Sequence, residues 1–209
     1  MIQLQRVTVA FLMTLLLVPS AVAQQRASLT IEGYRDLTWG TAAEAVLETF
    51  GEPEEDAVLD GGLRMLAFRD SLVGQPSVVL FGVLPEDGLV KGQDVVNARE
   101  GQECIDQVRR IHRFVDLQYP LIQPTESAES NAAGMICEAV KQGSGYWYRQ
   151  WIDESTGSVI SVRLESGSDQ INLIYESLRF REWVGEPMES VPDEAQTAGD
   201  VIDRPLIRQ

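Results

Sequence analysis

Residues 39–53 read WGTAAEAVLETFGEP and contain the start, the body and the end of a short helix. Thr41 and Glu44 have the spacing of a capping box, in which each side chain satisfies a free backbone donor at the helix start. Gly51 is typical of a left-handed residue that ends a helix, and Pro53 prevents its continuation. A phosphate-binding loop would need more glycines and usually a lysine. The stretch therefore predicts a fold element and not a cofactor site.

Three runs rich in apolar residues follow this helix and predict a small antiparallel meander. They cover residues 63–69, 77–84 and 89–96. The sequence PEDG separates the second run from the third, and its glycine, Gly88, can adopt the positive φ that such a turn uses. A helix followed by a meander is thus expected for residues 36–98.

The same order of elements occurs again in residues 99–184. Apolar residues repeat at helical spacing over 102–118, and a second short helix is predicted over 132–142. Strand patterns follow at 146–152, 158–165 and 170–177. We therefore predict an α+β fold with helices packed on one side of an antiparallel sheet, an arrangement compatible with two tandem helix-meander halves, 36–98 and 99–184.

The two ends of the chain differ in composition from the predicted core. An early cation, an apolar run to Val18 and small residues at Ala21 and Ala23 predict a cleaved secretory signal peptide over 1–23, followed by a linker over 24–35. Residues 185–209 are polar, acidic and proline-containing, which is typical of a flexible tail. We expect a periplasmic or secreted protein with no stable membrane insertion after signal cleavage.

The formal net charge of the chain is −15. This charge argues against nucleic acid or an anionic membrane surface as partner, because each phosphate would add repulsion. The sequence has one histidine, no catalytic motif and no glycine-rich nucleotide loop. We accordingly predict no metal, no cofactor and no catalytic activity.

Cys104 and Cys137 are the two cysteines of the chain. Export would place them in an oxidising compartment, so we expect them to form a disulfide bond. Closing a loop of this length stabilises a fold by roughly 3–4 kcal/mol according to the chain-entropy treatment. Pairing also removes both thiols from the candidate nucleophiles.

The pattern W-G-[ST]-x-x-x-x-V-x-x-x-x-G-x-P at residues 39–53, followed by strands as far as residue 177, resembles a loose group of bacterial exported proteins. The arrangement is similar to that of BamE-like outer-membrane lipoproteins and of β-lactamase inhibitor proteins, which place helices on one side of a sheet. The resemblance implies a non-enzymatic protein-binding role in the cell envelope. It assigns a role to no individual residue.

The predicted strand YWYRQWI at 146–152 supplies the candidate binding residues. Strand alternation puts its two tryptophans and its arginine on one face, and Tyr146, Tyr148 and Ile152 on the other. If the second set joins the core, the first set faces outward with three residues of the neighbouring strands. Trp and Arg are enriched at binding hot spots. The predicted open sheet face therefore consists of Trp147, Arg149, Trp151, Arg163, Ile174 and Glu176. The alternative is that another segment covers this face and the tryptophans are ordinary packing residues.

The function expected from these patterns is that of an exported binding or inhibitory protein, with a protein of the cell envelope as its partner. Two alternatives remain open at the level of the sequence. One is a small hydrolase that uses acidic residues, and the other is a structural component of the envelope.

Overall fold

The computed structural model describes residues 29–128, 136–143 and 146–185. Its helices are α1 (Ala43–Phe50), α2 (Gly101–Gln118), α3 (Ile136–Lys141) and α4 (Leu178–Val184), and a 3-10 turn covers Asp60–Gly62. Its strands are β1 (Gly33–Tyr34), β2 (Leu37–Thr38), β3 (Glu55–Val58), β4 (Arg64–Leu72), β5 (Gln75–Leu84), β6 (Gly88–Asn97), β7 (Pro124–Ala128), β8 (Trp147–Asp153), β9 (Ser158–Leu164) and β10 (Gln170–Glu176). The α+β class predicted from the sequence is confirmed.

Eight of these strands form a single antiparallel sheet in the order β3-β4-β5-β6-β10-β9-β8-β7, and β1 pairs separately with β2. Each half of the chain contributes a meander of four strands. The last strands of the two meanders, β6 and β10, pair with each other, so that Leu173 lies opposite Asp94. The two predicted halves therefore share one sheet.

One face of the sheet carries helices α1, α2 and α3. Apolar side chains of the three helices and of the strands beneath them form a continuous core, in which Val46, Ile111, Phe81 and Leu173 have no exposed surface. The predicted disulfide is present between Cys104 of α2 and Cys137 of α3, with an S–S distance of 2.01 Å. It links α2 to α3 above the sheet.

Helix α1 lies where the opening sequence motif predicts it, and it ends at Phe50, directly before Gly51. Gly51 has a positive φ of 85°, but its ψ of −149° lies outside the left-handed helical region that was predicted. The predicted capping box is wrong. The hydroxyl of Thr41 donates to the carbonyl of Thr38 at 2.7 Å, and no side chain caps the helix. The threonine thus stabilises the turn that enters the helix, while the first helical donors remain without a side-chain acceptor.

The tryptophan and glycine of the same motif connect α1 to the sheet. The indole of Trp39 donates to the Ile31 carbonyl and to the Ser158 hydroxyl, each at 3.1 Å. The backbone N–H of Gly40 donates to the Leu89 carbonyl at 2.9 Å. These hydrogen bonds within the chain account for the tryptophan and the glycine of the motif without a bound ligand.

Residues near the end of the predicted linker, 24–35, belong to the fold instead. Ile31 and Tyr34 are buried, and the Tyr34 hydroxyl donates to Asp94 at 2.7 Å. The ring of Tyr34 lies against Gly92, where a Cβ atom would come within 2.1 Å of it. Burial of two large side chains gives this short segment its fixed position.

Helix α4 packs on the sheet face opposite α1, α2 and α3, at one end of that face. Phe180 joins a second buried cluster with Leu63, Leu84 and Val90. The Ser177 hydroxyl accepts a hydrogen bond from the Phe180 N–H at the start of α4, which is the usual role of a serine cap. The strand pattern of the sequence did not predict this helix.

Two predicted segments lie outside the described residues: the signal peptide, 1–23, and the tail beyond Gly185. The part of the second predicted helix that precedes Ile136 also lies outside them. Within the described part of the chain, no helix has the length and apolar character that a membrane crossing requires.

Candidate functional site

The six residues predicted to share one open face are divided between the two faces of the sheet. Trp147 pairs with Leu164 and Trp151 pairs with Ile160, and both partners point into the helix-covered core. Trp147 and Trp151 are 3% and 0% exposed, so they are core residues. The prediction is therefore wrong for Trp147, Arg149 and Trp151, which lie beneath α2.

The other three predicted residues lie on the face opposite α1, α2 and α3, as expected. Arg163 pairs in register with Asn172, and Ile174 and Glu176 follow on the same side of β10. Ile174 and Glu176 are nonetheless buried to 6% and 7% exposure. They form the floor of this face.

The register of the strands defines the sheet face opposite α1, α2 and α3, which we call the open sheet face. One row across the sheet contains Tyr148, Arg163, Asn172, Val95 and Val78. The adjacent row contains Gln150, Ser161, Ile174, Gln93 and Leu80. A third row, nearer to α4, contains Ile152, Val159, Glu176, Lys91 and Gly82.

Polar side chains on the floor of the open sheet face bond to one another. Arg163 donates through Nε to the Ser161 hydroxyl at 3.0 Å, and its Nη2 lies 3.9 Å from Glu176. Lys91 lies 3.5 Å from the same carboxylate. These ion pairs offset part of the desolvation penalty of the buried charges.

The accessible part of the open sheet face is apolar and aromatic. Val78 is 40% exposed, and Leu80, Val95 and Ile152 are half-buried. Tyr148 is half-buried and stacks on Tyr146, with ring centroids 6.1 Å apart. Val78, Leu80 and Val95 were not predicted from the sequence as site residues, and Tyr148 and Ile152 were considered only as members of the core.

Trp147, Arg149 and Trp151, which were predicted on the opposite face, belong to a compact cluster between α2 and β8. His112 stacks on Trp147 with a centroid separation of 4.7 Å, and Arg149 lies within 3.3 Å of its Nδ1. The Trp151 indole donates to Asp116 at 2.9 Å. The register of the second meander thus brings a helical His–Asp pair and the Trp-Arg-Trp strand together.

The environment of His112 keeps its imidazole neutral. Burial and the neighbouring Arg149 guanidinium lower the pKa of His112 from its ordinary 6.5 to about 3. Arg149 donates to Nδ1, so the ring proton resides on Nε2, which is buried and has no hydrogen-bond partner in the described part of the chain. Asp116 is held by Trp151 and does not contact His112 through any hydrogen bond that the described residues form. The described residues therefore do not place a carboxylate in position to orient the His112 ring, as in a catalytic triad.

Potential metal ligands are scattered in the described part of the chain. No group of three or more His, Cys, Asp or Glu side chains there is arranged to hold a metal ion. The acidic stretch after α1 is engaged in ion pairs, with Glu54 at 2.6 Å from Arg69 and Asp56 at 2.7 Å from Arg64. These carboxylates contribute to the edge of the sheet.

No protein-family model matches this chain, and no curated protein or solved structure is significantly similar to it.

Proposed function

We propose that this chain is an exported, non-catalytic binding protein that docks a partner protein of the cell envelope on the open sheet face. The single observation that supports the proposal most strongly is the asymmetry of the sheet. Among the described residues, three helices cover one face, whereas α4 alone packs on the other, at one end of it. Away from α4, apolar side chains such as Val78 remain accessible. Accessible apolar and aromatic side chains on a flat surface are typical of protein-binding sites.

The side chains of the open sheet face favour a partner of particular chemistry. Its three rows contain two cations, Lys91 and Arg163, and one carboxylate, Glu176. This slight positive excess contrasts with the net charge of −15 for the whole chain. A partner that presents an apolar patch bordered by carboxylates would bury Tyr148, Val78 and Leu80 and would pair with Arg163.

The network on the floor of the face supports a preorganised surface. Arg163 is held by Ser161 and Glu176, and Gln93 donates to Asn172 at 3.0 Å. Fixed side chains lose less conformational entropy on binding than free ones do. The disulfide supports the exported location, because such bonds form and persist in oxidising compartments.

Photo-crosslinking in cells that export the chain tests this proposal. A photoreactive residue is placed at Val78 or at Gln150 on the open sheet face, and at exposed Glu48 on α1 as a control. Recovery of one protein from both open-face positions, and not from position 48, would support the proposal. Recovery of nothing from either open-face position, or of the same protein from all three, would refute it.

A further inference from the structure

A second surface, on the helix-covered side of the sheet, has a different chemistry. A groove of about 360 Å³ runs between α2 and β8 and is lined by Arg109, His112, Arg113, Asp116, Leu117 and Arg149. The lining thus contains three guanidinium groups and one carboxylate. The groove is therefore positively charged, although the whole chain has a net charge of −15.

The arginines of the groove are incompletely paired. Arg109 lies 3.5 Å from Asp106, but Arg113 has no ion-pair partner among residues 29–128, 136–143 and 146–185. Both side chains are exposed, and they lie four residues apart on the same face of α2. Arg113 is therefore a free cation at the rim of the groove.

Arg149 is held at the back of the groove with spare hydrogen-bonding capacity. Its guanidinium lies over the Trp151 ring at 5.1 Å, and Nη1 contacts His112. Its Nη2 is 3.6 Å from Asp116, which is too long for a hydrogen bond. Its Nε is buried and has no hydrogen-bond partner among the described residues. The side chain is thus held in place and does not use all of its donors.

The hydrogen bond from Trp151 accounts for the length of the ion pair between Arg149 and Asp116. The indole holds Oδ1 of Asp116 at 2.9 Å, which fixes the carboxylate at a distance from Arg149. An incoming oxyanion could accept from Arg149 at shorter range and from Arg113 at the rim. Guanidinium groups bind carboxylates and phosphates strongly because their planar donors match two oxygens at once.

We propose that the groove between α2 and β8 binds an oxyanion, carried as a carboxylate or a phosphate on a small ligand, with Arg149 and Arg113 as its principal donors. This site lies on the opposite side of the sheet from the open sheet face and does not depend on the binding function proposed above. The exposed Leu117 offers an apolar contact to the remainder of such a ligand.

The test is an NMR titration of the full exported chain with inorganic phosphate and, separately, with succinate at constant ionic strength. The Trp151 indole N–H is the reporter, because it bonds to the carboxylate beside Arg149. Arg113→Gln removes the rim cation. Arg110→Gln is the matched control, since Arg110 is also exposed on α2, has no ion-pair partner in the described part of the chain and does not line the groove.

We expect a saturable shift of the Trp151 signal with at least one of the two probes. Arg113→Gln should weaken that binding by about tenfold or more, because a charge-assisted bond is lost. Arg110→Gln should weaken it by less than about twofold at a salt concentration that screens distant charges. The probe that binds more tightly identifies the anion as a carboxylate or a phosphate. A shift that does not saturate with either probe, or equal weakening in the two variants, would overturn the proposal.

Discussion

The indole Nε1 of Trp151 donates a 2.9 Å hydrogen bond to Oδ1 of Asp116, and this bond joins the centre of the second meander to helix α2. Trp151 has no exposed surface, so its ring is part of the core beneath the helix. The residue that looks most like a binding anchor in the sequence is therefore a packing residue that also satisfies a carboxylate.

Truncating Trp151 should destabilise the protein strongly. We expect Trp151→Ala to lower the free energy of unfolding by about 3–5 kcal/mol, because it leaves a large cavity and removes the hydrogen bond to Asp116. Chemical denaturation measures the change. Trp183→Ala is the control. Because Trp183 is 39% exposed, its truncation should lower the free energy of unfolding by less. A loss of less than about 1 kcal/mol for Trp151→Ala would place the residue outside the core.

Acidification should destabilise the fold through His112, the only histidine of the chain. The pKa of His112 is about 3 in the folded protein, below its ordinary value of 6.5. Between these two pH values the unfolded chain binds more protons, so stability that is present above pH 6.5 is lost as the pH falls. The slope approaches about 1.4 kcal/mol per pH unit at most.

Denaturation curves measured between about pH 6.5 and pH 4.5 give this slope, because this range lies above the ordinary pKa values of carboxylates. His112→Gln should flatten it, because glutamine has no proton to gain. An equal slope in the variant would show that other groups cause the acid sensitivity.

Alkaline conditions should destabilise the fold through buried tyrosines. Burial, and then the neighbouring Asp94, raises the pKa of Tyr34 well above 10. Burial also raises the pKa of Tyr175, and it raises that of Tyr119 to about 12. The unfolded chain releases these protons near pH 10, so stability is lost as the pH rises from there towards the folded pKa values.

The ultraviolet absorbance of tyrosinate, followed together with circular dichroism, tests this expectation. The buried phenols should ionise above pH 10 and in step with unfolding. Ionisation of all five tyrosines near pH 10 in a chain that stays folded would contradict it.

Removing the disulfide should lower stability without changing the topology of the sheet. Cys104 and Cys137 are separated by 33 residues in sequence, so replacing both with serine should cost roughly 3–4 kcal/mol. Chemical denaturation of the double variant and of the oxidised protein gives the difference. Equal stability of the two forms would show that the bond leaves the unfolded chain unconstrained.

The sequence predicted the faces of β9 and β10 correctly because polar and apolar residues alternate clearly there. Ile160, Val162 and Leu164 are apolar, whereas Ser161 and Arg163 between them are polar. On β8 both sets of alternating residues contain aromatic rings, so composition could not decide which set is buried. The register with β9 decides it, and register depends on contacts between strands rather than on one strand's sequence.

Besides the two-residue strands β1 and β2 and the 3-10 turn, three longer elements were not predicted from the sequence, for related reasons. The edge strands β3 and β7 read EDAV and PTESA, and they lack the apolar alternation of an interior strand. Helix α4 is one and a half to two turns long, so its helical period is too short to recognise. Tertiary pairing and packing, rather than local preference, define all three.

The most direct test of the central claim is the affinity of purified chain variants for the protein that crosslinks at positions 78 and 150. Leu80→Asp alters the open sheet face, and Arg113→Gln alters the groove on the other side of the sheet. We expect Leu80→Asp to raise Kd by about tenfold or more, and Arg113→Gln to change it by less than about twofold. The reverse pattern, with the two variants equally folded, would contradict docking on the open sheet face.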